Sequence, residues 1–496
     1  MCGPLRAQGS RSTQASAIVE GAMSDELEVN GEAGELAALP SGAHIHIVGI
    51  GGIGMSAIAR VLLTRDGYRV SGSDRSLSEV GRALAALGAR VYEGHKAEHV
   101  ADADVVLVSS AVPAGNAEVE AARARGIPVI RRTQVLAWMT QGYQTIAVAG
   151  THGKTTTTAM IAQLLLQAGL DPTVIVGGVI PELGGNARAG RGQFFVIEAD
   201  EYDRTFLGLR PAIAVVTNVE MDHPDCYPTY ADVQAAFTAF VDRVVPGGVV
   251  VACGDDPGAE SVLASARAGL RVIRYGLGFG VDVRATGVQS NGAGHDFVAV
   301  SGSWQGDLTL QVPGVHNVRN ALAVLSVARE LQIPERVTRA ALASYRGADR
   351  RFEVKGEAAG VTVIDDYAHH PTEIRATLAA ARTRYGGRPI WAVFQPHTFS
   401  RTRVLLDEYR RSFGDADHVL ITPIYAAREQ DDGRVSSADL VRDVDHSDMH
   451  VVPNLQAAVE ELVRRVKAGD VVLTMGAGDG HRVGEGVLSV LRERAK

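Results

Sequence analysis

From residue 44 onward, short apolar runs alternate with longer stretches in which apolar positions recur every three to four residues. Such runs have the length of strands buried on both faces, and the helical period between them supplies crossovers. The pattern therefore predicts parallel sheets with helices on their faces. A first series opens with residues 44–50 and continues through 105–109 and 128–130. A second starts at 145–149 and passes through 194–197 and 212–217, ending near Ser344. A third opens with 361–365 and continues through 389–394, 419–422 and 471–475. Residues 1–41 carry no sustained apolar period and are rich in Gly, Ala, Ser and Glu, so a disordered extension is expected there, with Met23 as an alternative start. Three α/β domains follow, over 42–142, 143–344 and 345–496. That suits 496 residues at roughly 150 per domain. No repeat of 20–50 residues is present.

Composition narrows the class. Hydrophobic residues make up 46% and charged residues 21%, as in a globular protein, and the 55 glycines point to tight turns and phosphate-cradling loops. A net charge of -8 without a basic stripe argues against a nucleic-acid partner. Cys2, Cys226 and Cys253 form no CxxC pair, and three thiols cannot all pair within one chain, so a reducing compartment is expected. No apolar run reaches the roughly eighteen residues of a membrane span, and no basic head precedes an apolar core at the N-terminus. The expectation is a cytoplasmic protein with no membrane contact.

Two glycine loops carry the candidate chemistry. Gly49, Gly51 and Gly54, with Gly52 and Ile53 between them, form GxGxxG after a strand and before the helix-like MSAIARVLL, and Asp74 lies about twenty residues on. This suits a dinucleotide, another nucleotide diphosphate, or a tight structural turn. The second loop is Ala149-Gly150-Thr151-His152-Gly153-Lys154-Thr155-Thr156, before a helix expected over 156–168. It is two residues shorter than GxxxxGK[ST], yet the mechanics survive. Its amides can cradle phosphate oxygens, Lys154 can reach the β and γ groups, and Thr155 can ligate Mg²⁺. Downstream, Glu198, Asp200 and Glu201 end one buried strand, and Asn218, Asp222 and His223 follow the next. Three carboxylates at a buried strand end call for a hard cation. Cys226 is read as structural.

The motifs GIGGIGMSAIA, GTHGKTTTT, EADEYDRTF, TNVEMDH, PGVHNVRNALA, RRFE, DDYAHHPTE and QPHTFSRTR occur in the order seen in the Mur ligases, and from about residue 44 to the end the chain resembles that family. The resemblance implies an N-terminal Rossmann-like UDP-binding domain, a central P-loop-type ATPase and a C-terminal Rossmann-like domain. It also implies an ATP- and Mg²⁺-dependent ligase, monomeric or homodimeric, whose partners are UDP-N-acetylmuramate and L-alanine, joined through an acyl phosphate. On that basis Gly49–Gly54 face the UDP sugar rather than NAD, with Asp74, His95, Ser109 and Ser110 at the uridine and Arg131 or Arg132 at the diphosphate. Gly150 to Thr156, with Asn317 and Asn320, hold ATP; Thr155, Glu198 and His223 hold metal; and Arg351 touches the transferring phosphate. Tyr367, His369, His397 and Arg401 are implied at the amino acid, and His369 with Asp366 is the candidate base. The recycling ligase that adds a tripeptide shares much of the set, but EADEYDRTF and the FQPHTFSRT spacing favour alanine. A non-catalytic ATP switch would not need the third domain, and a dehydrogenase would not need GTHGKT.

Overall fold

The computed structural model describes residues 40, 42–65 and 67–494. The extension expected over 1–41, with Cys2 and Met23, lies outside the described residues apart from Pro40. Three sheets follow one another along the described chain, each flanked by helices. The first is parallel throughout, in the order Arg90–Glu93, Arg69–Asp74, His44–Val48, Val105–Val108, Val129–Arg131. Strand order reverses between His44–Val48 and Val105–Val108, and the first glycine loop leaves the carboxyl end of His44–Val48. Open α/β sheets bind ligands in that crevice.

The second sheet is built around Gln144–Ala149, which lies between Phe194–Glu198 and Ile213–Val216. The second glycine loop leaves its carboxyl end and enters the helix Lys154–Gln167. That helix is apolar on most of its surface because it lies between the sheet and the helices Val315–Glu330 and Glu335–Ser344. Its Met160, Ile161, Leu164 and Leu165 are buried, and each such side chain contributes on the order of 1.5–3 kcal/mol.

The parallel expectation fails at the edges. Val283–Ser290, His295–Ser301 and Trp304–Leu310 form an antiparallel meander, and Gly185–Arg188 pairs antiparallel at the other edge. The meander alternates buried and exposed residues because one face packs on helix Val315–Glu330 while the other meets water. The third sheet is parallel apart from the edge strand Glu353–Ala358, in the order Glu353–Ala358, Val361–Asp366, Val471–Met475, Ile390–Phe394, His418–Ile421, Met449–Val451.

One buried cluster runs without interruption from the first sheet into the second, joining Ile45, Ile58 and Leu136 to Phe195, Phe206 and Tyr227. The third sheet has clusters of its own. Among the described residues no helix is long and apolar enough to cross a membrane.

Candidate functional site

Gly153 begins the helix Lys154–Gln167 with φ of +80°, a left-handed conformation that costs glycine little. Lys154 Nζ donates to the Gly150 and Thr151 carbonyls at 2.6 and 3.1 Å and to Glu201 Oε1 at 2.9 Å. Burial pulls its pKa down, but Glu201 and Asp200 outweigh burial and raise it. Thr151 is buried, its hydroxyl accepting the Glu220 amide at 2.8 Å, and the His152 amide donates to Asn218.

Around this lysine stand the carboxylates of the neighbouring strand end. Thr155 Oγ1 donates to Glu198 Oε1 at 3.1 Å, and the Gly177 amide donates to Glu198 Oε2 at 2.6 Å. Burial raises the Glu198 pKa against the pull of Lys154. Asp200 pairs with Arg132 at 2.9 Å, and the Arg132 guanidinium covers Gly54, where a Cβ would stand 2.7 Å from its Cζ. Glu201 Oε2 is buried without a hydrogen-bond partner among the described residues. His223 faces Glu201 at 3.4 Å and Asp222 at 3.7 Å. A hydroxyl, several carboxylates and an unsatisfied buried oxygen form a hard donor set that suits Mg²⁺.

The third domain closes this arrangement with polar contacts. Arg401 Nε donates to Asp222 Oδ1 at 2.6 Å, both side chains being about 5% exposed (5% and 6%), while Arg401 Nη1 meets His397 Nδ1 at 3.0 Å. Glu373 lies 3.3 Å from His152, 3.3 Å from the His369 ring and 3.7 Å from Arg351. Thr372 donates to Glu220 at 2.6 Å, and His370 Nε2 to the Met221 carbonyl at 3.2 Å. His152, Glu220 and His370 bring potential ligand atoms within 4.8 Å of one another. Burial lowers the His152 pKa, but Glu220 and Glu373 overcome it and raise it to about 9, so a proton on His152 holds this cluster together at neutral pH. His369 and His370 are pushed down by burial to about 4 and are neutral there.

Asp366, the last residue of the strand Val361–Asp366, and His369, three residues on, have different partners. The Asp366 carboxylate accepts the Phe352 and Ala368 amides, and burial raises its pKa to about 6. The carboxylate beside the His369 ring is instead Glu373, and His369 Nδ1 donates to the Tyr367 carbonyl at 3.0 Å. Tyr367 lies under the Arg350 and Arg351 guanidinium groups, each 5.1 Å from its ring centre.

Two cavities flank the phosphate loop. One, of about 320 Å³, is lined by Thr156, Tyr275, Asn317, Asn320 and Tyr345 among others; the other, of about 270 Å³, by Gly54, Arg132, Lys154, Glu198, His369 and Arg401 among others. They share His152, Gly153, Arg351 and Glu373. Asn320 donates to Asn317, which donates to the Pro313 carbonyl.

In the first domain the Gly51 amide donates to Asp74 Oδ2 at 2.9 Å, fixing the acid at the loop; Ile53 is exposed toward the second cavity. Ser109 is half-buried and accepts the Ala111 amide, whereas Ser110 is exposed. His95 contacts Ser73 and Glu118. Sequence reasoning did not single out Glu373, Glu220 or Glu118; Glu373 and Glu220 lie inside quoted motifs, while Tyr275 and Tyr345 gave no signal.

Residues 44–144, 148–328 and 350–478 match models of the Mur ligase family catalytic domain, the Mur ligase middle domain and the Mur ligase glutamate ligase domain. The chain belongs to the Mur ligase family. It is 46% identical over 453 residues to the UDP-N-acetylmuramate–L-alanine ligase of Anaeromyxobacter sp. (strain Fw109-5), covering 90% of this chain and 98% of that protein. Among solved structures it is similar to UDP-N-acetylmuramate-alanine ligase MurC from Thermotoga maritima, with TM-score 0.77, 29% identity, and 91% and 100% of the two chains covered. A murein peptide ligase from Psychrobacter arcticus gives TM-score 0.70 and 26% identity, with 91% and 99% covered.

Proposed function

We propose that the chain uses ATP to join L-alanine to the lactyl carboxylate of UDP-N-acetylmuramate, a step in peptidoglycan precursor synthesis, in the cytoplasm and as a monomer or homodimer. The observation that carries this reading is the meeting of two cavities at His152, Gly153, Arg351 and Glu373, beside the phosphate loop. ATP takes the cavity at Asn317 and Asn320, with its phosphates on Gly150 to Thr156. The acceptor cavity opens on one side to the glycine loop of residues 42–142, for the UDP sugar, and on the other to His369, His397 and Arg401 of residues 345–496, for alanine. Residues 143–344 hold the nucleotide between them. Gly49, Gly51, Gly52 and Gly54 receive the diphosphate, with Asp74, His95, Ser109 and Ser110 toward the uridine.

A carboxylate does not react with an amine, because it repels the nucleophile and oxide is a poor leaving group. Attack of a lactyl oxygen on the γ-phosphorus expels ADP and leaves an acyl phosphate, whose leaving group is phosphate. Both reactants are anions, so Lys154 and Arg351 lower the barrier by neutralising charge that is shared in the transition state. Thr155, Glu198 and His223 would hold Mg²⁺, which when bound adds positive charge at the phosphate oxygens. The free amine of alanine then attacks the acyl carbon, phosphate departs, and the nitrogen gives up a proton. Because His369 Nδ1 donates to Tyr367, its Nε2 carries the lone pair that accepts this proton, and Glu373 balances the resulting charge. Once the C–N bond forms the nitrogen is acidic enough for a weak base to serve.

The test combines purified protein with ATP, Mg²⁺, UDP-N-acetylmuramate and either a panel of amino acids or a tripeptide, following phosphate release and product mass. Lys154→Ala is expected to lose at least about a hundredfold in turnover while still binding the UDP sugar. Normal turnover in that variant, or product with the tripeptide alone, would overturn the assignment.

A further inference from the structure

We propose that Glu118, a buried acid of the first domain, fixes the tautomer of His95 so that His95 Nε2 accepts the N3–H of uracil, selecting a uridine over a cytidine nucleotide. This rests on the reading above that the first domain holds a UDP sugar. Glu118 lies in the first turn of helix Ala117–Ala124, with its side chain fully buried. Its Oε1 takes His99 Nδ1 at 2.6 Å and lies 3.6 Å from His46 Nε2. Its Oε2 takes the Ser73 hydroxyl and His95 Nδ1, the latter at 3.1 Å. Burial pushes the carboxyl up, but the nearby His46 ring and the bonds from Ser73 and His99 outweigh it and bring the pKa down to about 2. An ionised carboxylate only accepts, so each ring nitrogen turned to it carries a proton.

Of the three rings, His95 alone reaches the surface appreciably, at 22% side-chain exposure against 0% for His46 and 7% for His99. Among the described residues no protein group meets its Nε2. In a neutral ring protonated at Nδ1 that nitrogen is an acceptor. His95 follows the strand Arg90–Glu93, beyond Asp74 on the same sheet edge. With the diphosphate on the glycine loop and the ribose at Asp74, the base falls toward His95. Uracil offers N3–H as a donor there. Cytosine offers a lone pair and is repelled. Glu118 is thus a positioning residue, acting through His95.

The experiment measures Ki for UDP and CDP as competitive inhibitors against the nucleotide sugar, in the wild-type chain and in Glu118→Gln, Glu118→Asp, His95→Gln and the double Gln variant. The wild type is expected to favour UDP by at least about tenfold, the loss of one hydrogen bond to a buried polar group. Glu118→Gln and His95→Gln each bring the ratio toward one, the double variant goes no further than either, and Glu118→Asp restores part of it. Turnover at saturation changes less than KM for the sugar nucleotide. His95→Gln alters a partly exposed side chain, so it remains informative if Glu118→Gln does not fold, and an unchanged KM for ATP certifies the fold of each variant. An unchanged UDP/CDP ratio in His95→Gln, or in a folded Glu118→Gln, overturns the inference while leaving the ligase reading intact. Failure of the wild-type chain to bind UDP or its sugar overturns the reading itself.

Discussion

The two domain junctions of this chain differ in what fills them: an apolar cluster, with the Arg132–Asp200 pair beside it, at the first, and polar groups at the second. Between the first and second domains a single apolar cluster continues across the boundary, joining Ile58, Leu136 and Met139 to Phe195 and Phe206, with the Arg65 guanidinium 4.6 Å from the centre of the Tyr143 ring. Between the second and third the contacts are ionic and hydrogen-bonded: Arg401 to Asp222, Thr372 to Glu220, His152 to Glu373 and Arg428 to Asp225. An apolar junction resists opening because separation exposes its whole area to water, whereas charged groups find water an adequate partner when they part. The difference predicts that the first two domains move together and that the third opens more readily.

Breaking the apolar junction should have the largest effect. Phe206→Ala is expected to lower the unfolding free energy by about 3–5 kcal/mol, with the first two domains melting together. Separate melting of those domains in the wild type would contradict the picture. Breaking the polar junction should cost less in stability and more in turnover. Arg401→Met removes the guanidinium partner of Asp222 and favours opening by about 2–5 kcal/mol, read as a larger scattering radius with ATP and the sugar nucleotide bound, and as a lower kcat. An unchanged radius would refute it.

Titration should give the smallest effect, and its sign differs on the two sides of neutrality. The His152 pKa in the closed protein, about 9, exceeds its ordinary 6.5, so its contribution is complete below about 6.5 and fades as pH rises toward 9. His369 and His370, held near 4, oppose closure as pH falls from about 6.5 to 4, because the open state takes up their protons more readily. Closure is therefore expected to peak near neutrality, with at most about 3 kcal/mol lost by His152 on the alkaline side. A distance probe across the second junction checks this; a flat profile from pH 6 to 10 would show that His152 does not hold the domains.

Much of the layout was readable from sequence because strands buried on both faces leave unbroken apolar runs. The segments 145–149 and 471–475 are central strands, and Pro371 opens its helix as its place after His370 suggests. The meander over 283–310 escaped because a half-exposed strand alternates, and alternation in a polar sequence is a faint signal. Glycines and the lysine announce the phosphate loop locally, so that part of the candidate site was legible. Glu373 was not, since at the third position of a helix it reads as a capping acid, and indeed it accepts the His369 and His370 amides. Its contact with His152 exists only once two domains dock. Glu118 likewise reads as a solvated first-turn acid until the rings of His46, His95 and His99 gather around it.

The guanidinium of Arg132, lodged over Gly54 and joined to Asp200, has a consequence for which sequences this fold can tolerate. Exchanging one hydrogen for a methyl at position 54 would oblige that cation to shift, and with it the counter-charge it gives an acid in the neighbouring domain. Drift in the first loop is thus restrained by the second domain's charge balance as well as by any ligand the loop meets.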